Sequence, residues 1–326
     1  MKGIKIIGTG SAVPSKVLTN FDLEKIVDTS DEWIRTRSGI RERHIADKET
    51  AASDLAAQAA QKALEDAGVS SKEVGLIIIG TVTPDMSFPS TSCMVQDRIG
   101  AKEAVCFDIS AGCTGFIYGL EVARGIINNN PSKIALVIGV EILSKITDYT
   151  DRSTCVLFGD GAGAAVLKAT EERRGILDTH LGADGSLGYL LYMPGGGSRN
   201  PLTHEALDNK MHYLKMAGNE VFKSAVRAME DSAVKILEKV GWSGKEVSLL
   251  IPHQANIRII EATAKRIGLS MERVFVNIDK YGNTSSASIP IALDEARRQG
   301  RIKDGDKIVL VAFGAGFTWG AVAIEW

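Results

Sequence analysis

The sequence has almost no excess charge of either sign, no long apolar run and no paired cysteines, and each absence removes a class of function. Its 326 residues carry 38 Lys and Arg against 40 Asp and Glu, a formal net charge of −2. Meeting nucleic-acid phosphates takes a basic excess, so no nucleic-acid partner is expected. No stretch approaches the roughly 18 apolar residues of a membrane span. The opening "MKGIKIIGTGSAVPS" has too short an apolar run for a secretory signal, so a cytoplasmic protein with no membrane partner is expected. Four cysteines, Cys93, Cys106, Cys113 and Cys155, form no CxxC pair. Zinc is therefore not expected, and in a reducing compartment all four are free thiols. The glycines of "GTGSAVP" do not complete a dinucleotide fingerprint, because Val13 and Pro14 stand where the third glycine belongs. What remains is an ordinary globular composition, 44% apolar and 24% charged, long enough for two domains or one domain of two halves.

Two halves is the reading that an internal repeat favours. "LEDAGVSSKEVGL" from Leu64 answers "LEKVGWSGKEVSL" from Leu237, 173 residues on, and the same offset relates "LEVAR" at Leu120 to "LDEAR" at Leu293. "KIALVIG" at Lys133 answers "KIVLVAF" at Lys307, an offset of 174. "FGDGAGAAVL" at Phe158 answers "FGAGFTWGAV" at Phe313, so the second copy lacks about 18 residues around Val140 to Leu157. Each copy reads helix, buried strand, loop, helix, strand and glycine-rich strand. "VGLIIIG" and "VSLLI" are continuous apolar runs, as strands covered on both faces require. The expectation is an α/β fold with mixed sheets, divided into halves at 1–170 and 171–326, with a site where they meet.

The stretch "DISAGCTGF" holds the candidate nucleophile. Phe116, Leu120, Ala123 and Ile127 form one helical stripe that begins just after Cys113. Ala111 and Gly112 permit a sharp strand-to-helix turn. A thiol there lies over the unpaired N–H groups at the helix start, which favour the thiolate. Under the repeat, Cys113 aligns with Ser286 in "GNTSSASIP", a loop that carries Asn283 instead of a thiol. Among five histidines, His253 stands out: it follows the apolar strand and Pro252 and precedes a helical stripe of Ile257, Ile260, Ala264 and Ile267. Ligands gather at such strand ends in α/β sheets.

Together "DISAGCTGF", "PHQANIRI", "GNTSSASIP" and "AFGAGFTWGA" resemble β-ketoacyl-acyl-carrier-protein synthase III, a family of condensing enzymes that start bacterial fatty-acid synthesis. The likeness runs from "GTGSAVPS" to the last residue. It implies the five-layered αβαβα thiolase fold and a catalytic triad of Cys113, His253 and Asn283. It also implies an oxyanion hole from the backbone N–H groups of Cys113 and Ala315, where alanine replaces the family's usual glycine. "SDEWIRTRSGIRER" matches the coenzyme A region, with Trp33 stacking on adenine opposite Arg152 and Arg37 near the phosphates. Thr29, Gly218 and Phe222 complete the implied coenzyme A set. The resemblance further implies an acidic acyl carrier protein docking at Gln254, Ala255, Asn256, Ile257 and Arg258, aided by Lys223, Arg227 and Arg266. It implies an acyl pocket including Phe88, Leu143 and Met216, and a homodimer.

The implied reaction joins an acyl-CoA starter, expected to be acetyl-CoA, to malonyl-carrier protein with loss of carbon dioxide, without metal or cofactor. Alternatives are a starter ketosynthase of polyketide or other secondary metabolism, and a non-catalytic, thiol-sensing protein of the same fold. Thiolases place a second cysteine at Asn283, and elongating ketosynthases a second histidine. 3-Hydroxy-3-methylglutaryl-CoA synthases place a carboxylate base where Thr81 stands.

Overall fold

The structure is a computed structural model that describes residues 3–326. The first sheet is built from β1 (Gly3–Ala12), β2 (Val74–Gly80), β3 (Val105–Ile109), β4 (Ile134–Ile142) and β5 (Asp160–Thr170), in the order β1-β5-β4-β2-β3. The second sheet contains β6 (Gly175–Ala183), β7 (Leu249–Pro252), β8 (Lys307–Gly314) and β9 (Thr318–Glu325), in the order β7-β8-β9-β6. The pairings correspond. β4 lies parallel to β2 and antiparallel to β5, and β8 lies parallel to β7 and antiparallel to β9. The counterpart of β3 is reduced to a single bridge between Leu250 and Val274. Each half also opens on a strand, β1 or β6, that the repeat as read from sequence did not include.

The helices complete five layers. Of those used below, α1 spans Asp31–Ser38, α2 Ala52–Ala67, α3 Thr91–Ile99, α4 Gly115–Asn129, α5 Gly218–Val240, α6 Ile257–Arg266 and α7 Ser288–Arg298. Between the sheets lie α4 and α7. Phe116, Leu120, Ala123 and Ile127 of α4 share one core with Ile289, Leu293 and both inner sheet faces. Outside, α2 covers the first sheet, while α5 and α6 cover the second. Every residue of β4 is buried, because helices cover both its faces. Side chains along β2 alternate between two cores: Leu76 and Ile78 face the middle layer, Ile77 and Ile79 the outer one.

Gly8 and Gly10 have a packing role. A Cβ on either would lie 2.4 Å from a carbonyl oxygen of α2, at Ala63 or Ala59. The "GTG" of β1 thus lets a helix lie close on a strand. Gly68 ends α2 in the left-handed region (φ 63°), as its place after the helical pattern predicts. Among the described residues, no helix is long and apolar enough to cross a membrane, and no cluster of His, Cys, Asp and Glu has the makings of a metal site.

Candidate active site

Cys113 sits in a 3-10 turn, Gly112–Thr114, between β3 and α4. Two glycines make this turn possible. Gly112 has φ +55°, and a Cβ on it would lie 2.6 Å from the Ala315 nitrogen. A Cβ on Gly314 would lie 2.4 Å from the Cys113 nitrogen. The end of β8 therefore presses its backbone against the nucleophile turn. Thr318 Oγ1 secures the contact by donating to the Ala111 carbonyl at 2.8 Å. The backbone N–H groups of Cys113 and Ala315 and the Ser285 hydroxyl surround the Cys113 sulfur and favour its thiolate. Ala315 is not among the residues with positive φ, so its Cβ is accommodated without backbone strain and its N–H remains a donor.

Two effects act on the thiol in opposite senses: the helix start favours the thiolate, whereas desolvation pushes Cys113 up to about 12 and the charge of Glu141 adds to the rise. Hydrogen bonds from Ser285, Cys113 and Ala315 act in the opposite sense without overcoming the loss of water.

His253 follows β7 directly, with its N–H bonded to the Val311 carbonyl at 2.8 Å. It does not start a helix: α6 begins at Ile257 and is capped by Asn256, whose side chain accepts from the Arg258 N–H. Burial lowers the His253 pKa to about 3, so the ring is neutral. Its Nδ1 lies 2.7 Å from Ser288 Oγ. With the hydroxyl donating to Nδ1, the ring proton sits on Nε2. Asn283 is held by its backbone in both directions, donating to the Leu157 carbonyl at 2.8 Å and accepting from the Gly159 N–H at 3.0 Å. Its Oδ1 accepts from the Ser285 N–H at 2.9 Å, which leaves the Nδ2 donors for substrate.

Cys113, His253 and Asn283 line one cleft of about 690 Å³, together with Met216, Gly218, Phe222, Ala255 and Asn256. A second cavity of about 690 Å³ meets it at Cys113, with Ser285 and Ala315 beside the thiol and an apolar wall that includes Val82, Leu143, Ile146 and Leu214. The remaining candidates lie outside the residues that line these two cavities. The guanidinium of Arg152 lies 5.1 Å from the centre of the Trp33 ring. Thr29 Oγ1 is buried without a hydrogen-bond partner, an orphan that a ligand atom would satisfy. Arg37 is exposed on α1, and its carbonyl accepts from Asn256 Nδ2 at 2.9 Å, tying α1 to the start of α6. Arg258 is exposed and stacks over Phe222 at 4.9 Å, with Lys223, Arg227 and Arg266 also exposed on α5 and α6.

Gln254 corrects the sequence reading, while Phe88 and Met216 lie apart from Leu143 within the single chain. Gln254 is 1% exposed and fully engaged inside, donating to the carbonyls of Pro252 and Phe275 and accepting from the Asn277 N–H, so it has no face for a carrier protein. Phe88 is 83% exposed and lines neither cavity of its own chain. Met216 lines the cleft that holds His253 and Asn283, and not the apolar cavity that takes Leu143.

Sequence reasoning missed Glu141, Ser285 and Ser288. Glu141 is completely buried at the end of β4 and accepts hydrogen bonds from Val82 N–H, Thr83 Oγ1 and Ser285 Oγ, with Ser286 Oγ 3.0 Å away. Thr81 Oγ1 lies 3.4 Å from it. A signal was present, since Glu141 is the one carboxylate in the apolar run "IALVIGVEI".

A cysteine under two convergent N–H groups, facing a neutral histidine and an amide in an αβαβα fold, defines a condensing enzyme of the thiolase class, an acyltransferase. The comparisons narrow this. Residues 107–185 match the family described as 3-Oxoacyl-[acyl-carrier-protein (ACP)] synthase III, and residues 237–326 match its C-terminal part. The Beta-ketoacyl-[acyl-carrier-protein] synthase III of Caldanaerobacter subterraneus is 56% identical over 98% of this chain and 97% of its own. The solved 3-oxoacyl-[acyl-carrier-protein] synthase III of Aquifex aeolicus superposes with a TM-score of 0.92 at 53% identity, covering 99% of this chain and 100% of that one. The priming β-ketosynthase of the R1128 polyketide pathway superposes with a TM-score of 0.91 at 33% identity, covering 99% and 96%. The chain belongs to the β-ketoacyl-acyl-carrier-protein synthase III family.

Proposed function

We propose that the chain catalyses the first condensation of fatty-acid synthesis: a decarboxylative Claisen reaction between an acyl-CoA and malonyl-carrier protein. The observation that carries this is the meeting of Cys113, His253 and Asn283 in one cleft, and the Arg152 guanidinium stacked over the Trp33 ring is the surface that takes the nucleotide in this reading. The Cys113 thiolate attacks the acyl thioester, the tetrahedral oxyanion accepts from Cys113 and Ala315 N–H, and coenzyme A leaves as the acyl moves to sulfur. Malonyl-carrier protein then loses carbon dioxide. The enolate oxygen accepts from His253 Nε2–H and Asn283 Nδ2–H, each worth about 3 to 4 kcal/mol where charge develops. The carbanion attacks acyl-Cys113, and collapse of the adduct returns the thiolate and releases a 3-oxoacyl-carrier protein. This sequence balances without metal or redox cofactor. The acyl chain lies in the apolar cavity past Cys113, with acetyl as the expected starter.

The carrier docks over Arg258, Lys223, Arg227 and Arg266, whose exposed charges suit an acidic partner. The protein is a homodimer in this reading. β3 is an unpaired sheet edge whose first residue, Val105, is exposed, and Phe88 protrudes from the segment between β2 and α3. Pairing two such edges covers both and lets Phe88 reach the acyl cavity of the second copy. A direct test mixes the protein with acetyl-CoA and maps the adduct by mass spectrometry. A gain of about 42 Da on the Cys113 peptide, followed by acetoacetyl-carrier protein on adding malonyl-carrier protein, is the expected result. Acetylation elsewhere, or none, refutes the assignment.

A further inference from the structure

Beneath Cys113 lies a chain of groups that the condensation above does not use. Ser285 stands beside the Cys113 thiol on the wall of the apolar cavity, where its hydroxyl works against the rise in the thiol's pKa, and its Oγ donates to Glu141 Oε1 at 3.1 Å. Ser285 is held there at φ +48°, one of two non-glycine residues with positive φ among those described. Strain of this kind persists where surrounding contacts over-determine it. The contacts are present: the Ser285 N–H is bound by Asn283 Oδ1, and Ser286 Oγ donates to the Gly80 carbonyl at 2.7 Å. Gly139 of β4 lies so close that a Cβ on it would meet the Ser286 carbonyl oxygen at 2.1 Å. The hydroxyl is thus pinned between sulfur and carboxylate.

We propose that Cys113 is activated through Ser285 by Glu141, which accepts the thiol proton. Ser285 is the residue next to the reacting sulfur that relays its proton, and Glu141 acts through it. The Sγ–H proton passes to Ser285 Oγ as the Ser285 hydroxyl proton passes to Glu141 Oε1, leaving a thiolate and a neutral carboxylic acid. The thiolate attacks the starter, and the stored proton returns through Ser285 to the departing coenzyme A sulfur, one carbonyl carbon away. Glu141 ends the step ionised again.

The charge balance argues for this route. Losing the thiol proton to solvent while Glu141 stays ionised puts two negative charges close together, one of them on a fully buried carboxylate. Transfer along the relay keeps one. The neighbours of Glu141 supply no compensating cation: its partners are Thr81, Val82, Thr83, Ser285 and Ser286, all neutral. Asp160 of the adjacent β5 pairs with Ile142, so it shares the opposite face, where it binds Ala46 and Ser144. His253, across the cleft, is neutral and titrates at about 3, too low to hold a proton at neutral pH. Glu141 itself titrates at about 7, raised by burial and lowered by the hydrogen bonds it accepts, so it is a base where the others are not.

This inference rests on Cys113 being the nucleophile, and its test separates the two. Carbamidomethylation of Cys113 by iodoacetamide is followed from pH 5.5 to 9.5, beside acetylation by acetyl-CoA, in the parent, E141Q and S285G (about one rate point per half pH unit suffices). S285G suits the left-handed backbone and removes only the hydroxyl, so it tests the relay with the Glu141 carboxylate still in place. In the parent the Cys113 rate should climb through an inflection near pH 7, where Glu141 ionises. Both variants should lack that inflection. S285G should also react about tenfold or more slowly at pH 7.5, recovering only at high pH where the thiol ionises to solvent, while E141Q, which also loses the charge that raises the thiol, is read by the missing inflection. Parent protein that takes no acetyl group on Cys113 refutes the nucleophile. Parent acetylation at Cys113 beside variants that keep the inflection and rate refutes the relay alone.

Discussion

Replacing Glu141 with glutamine should stabilise the fold in alkaline solution and leave it unchanged in acid. In the unfolded chain this carboxyl titrates near 4.5, whereas in the fold burial raises it to about 7. Below pH 4.5 both states hold the proton and the buried acid costs nothing. As pH rises, the unfolded state gains by ionising while the folded state must stay protonated. Stability is therefore lost progressively from pH 4.5 until the folded group also ionises near 7. The full cost above that point is about 3 kcal/mol. Glutamine has the same shape, accepts from the Val82 N–H through its carbonyl, and never ionises. With an unfolding entropy of about 2.1 cal/mol/K per residue, 326 residues unfolding together turn about 3 kcal/mol into a rise of about 4 °C in Tm. Thermal unfolding of both proteins at pH 4, 5, 6, 7 and 8 measures this. His253 and the surface carboxylates are common to both, so their effects cancel in the difference. The gap should be near zero at pH 4 and full by pH 8. Parallel curves, or a variant less stable at pH 8, would show that Glu141 is not held above its ordinary range.

Three further outcomes follow from the site. Ala315→Pro removes an N–H that meets the Cys113 sulfur and should slow acyl-enzyme formation by about 10² to 10³, whereas Ala315→Gly keeps the donor and should match the parent in single-turnover acetylation. Trp33→Ala removes the ring under Arg152 and should raise the KM for acetyl-CoA well above the change in kcat, read by steady-state kinetics with malonyl-carrier protein saturating. Arg258→Glu should raise the KM for malonyl-carrier protein and flatten its dependence on salt. Because Arg258 also stacks on Phe222, Arg258→Lys serves as its partner variant: it keeps the charge but not the planar stack, so it should spare the carrier KM. Equal losses in both variants would assign Arg258 to the cleft wall and not to docking.

Much of this was legible in the sequence because it obeys local rules. The stripe Phe116, Leu120, Ala123 and Ile127 is an α-helix with all four residues in the middle core. The repeat offsets correctly match β2 with β7, β4 with β8 and α4 with α7. What escaped depends on long-range placement. Gln254 reads as part of a surface motif, yet its amide closes three backbone groups inside the second half. Phe88 reads as a pocket residue, yet within one chain it points into solvent. The thiol's position at a helix start was correct, but the sequence holds no measure of how dry that position is, and dryness dominates its titration. Glu141 lies 28 residues from Cys113 in a strand with no motif, and only the fold brings its carboxylate under the Ser285 hydroxyl.

The duplication explains why these parts meet. At the repeat offset of 173, Gly112 corresponds to Ser285 and Cys113 to Ser286, and both turns are 3-10 segments leading into a central helix. Gly112 (φ +55°) and Ser285 (φ +48°) take the same left-handed backbone, so the second copy adopts the turn despite carrying a side chain there. At the strand offset of 174, Glu141 corresponds to Ala315. Each central strand therefore ends against the turn of the other half. β8 ends by bringing the Ala315 N–H to the Cys113 sulfur, and β4 ends by bringing the Glu141 carboxylate to Ser285. In one copy the strand end supplies a hydrogen-bond donor to the thiol, and in the other an acceptor for the neighbouring hydroxyl. A single unit would possess only one of the two. Condensation chemistry needs both, because the same sulfur must lose a proton to become a nucleophile and then sit beside donors that hold the oxyanion it creates.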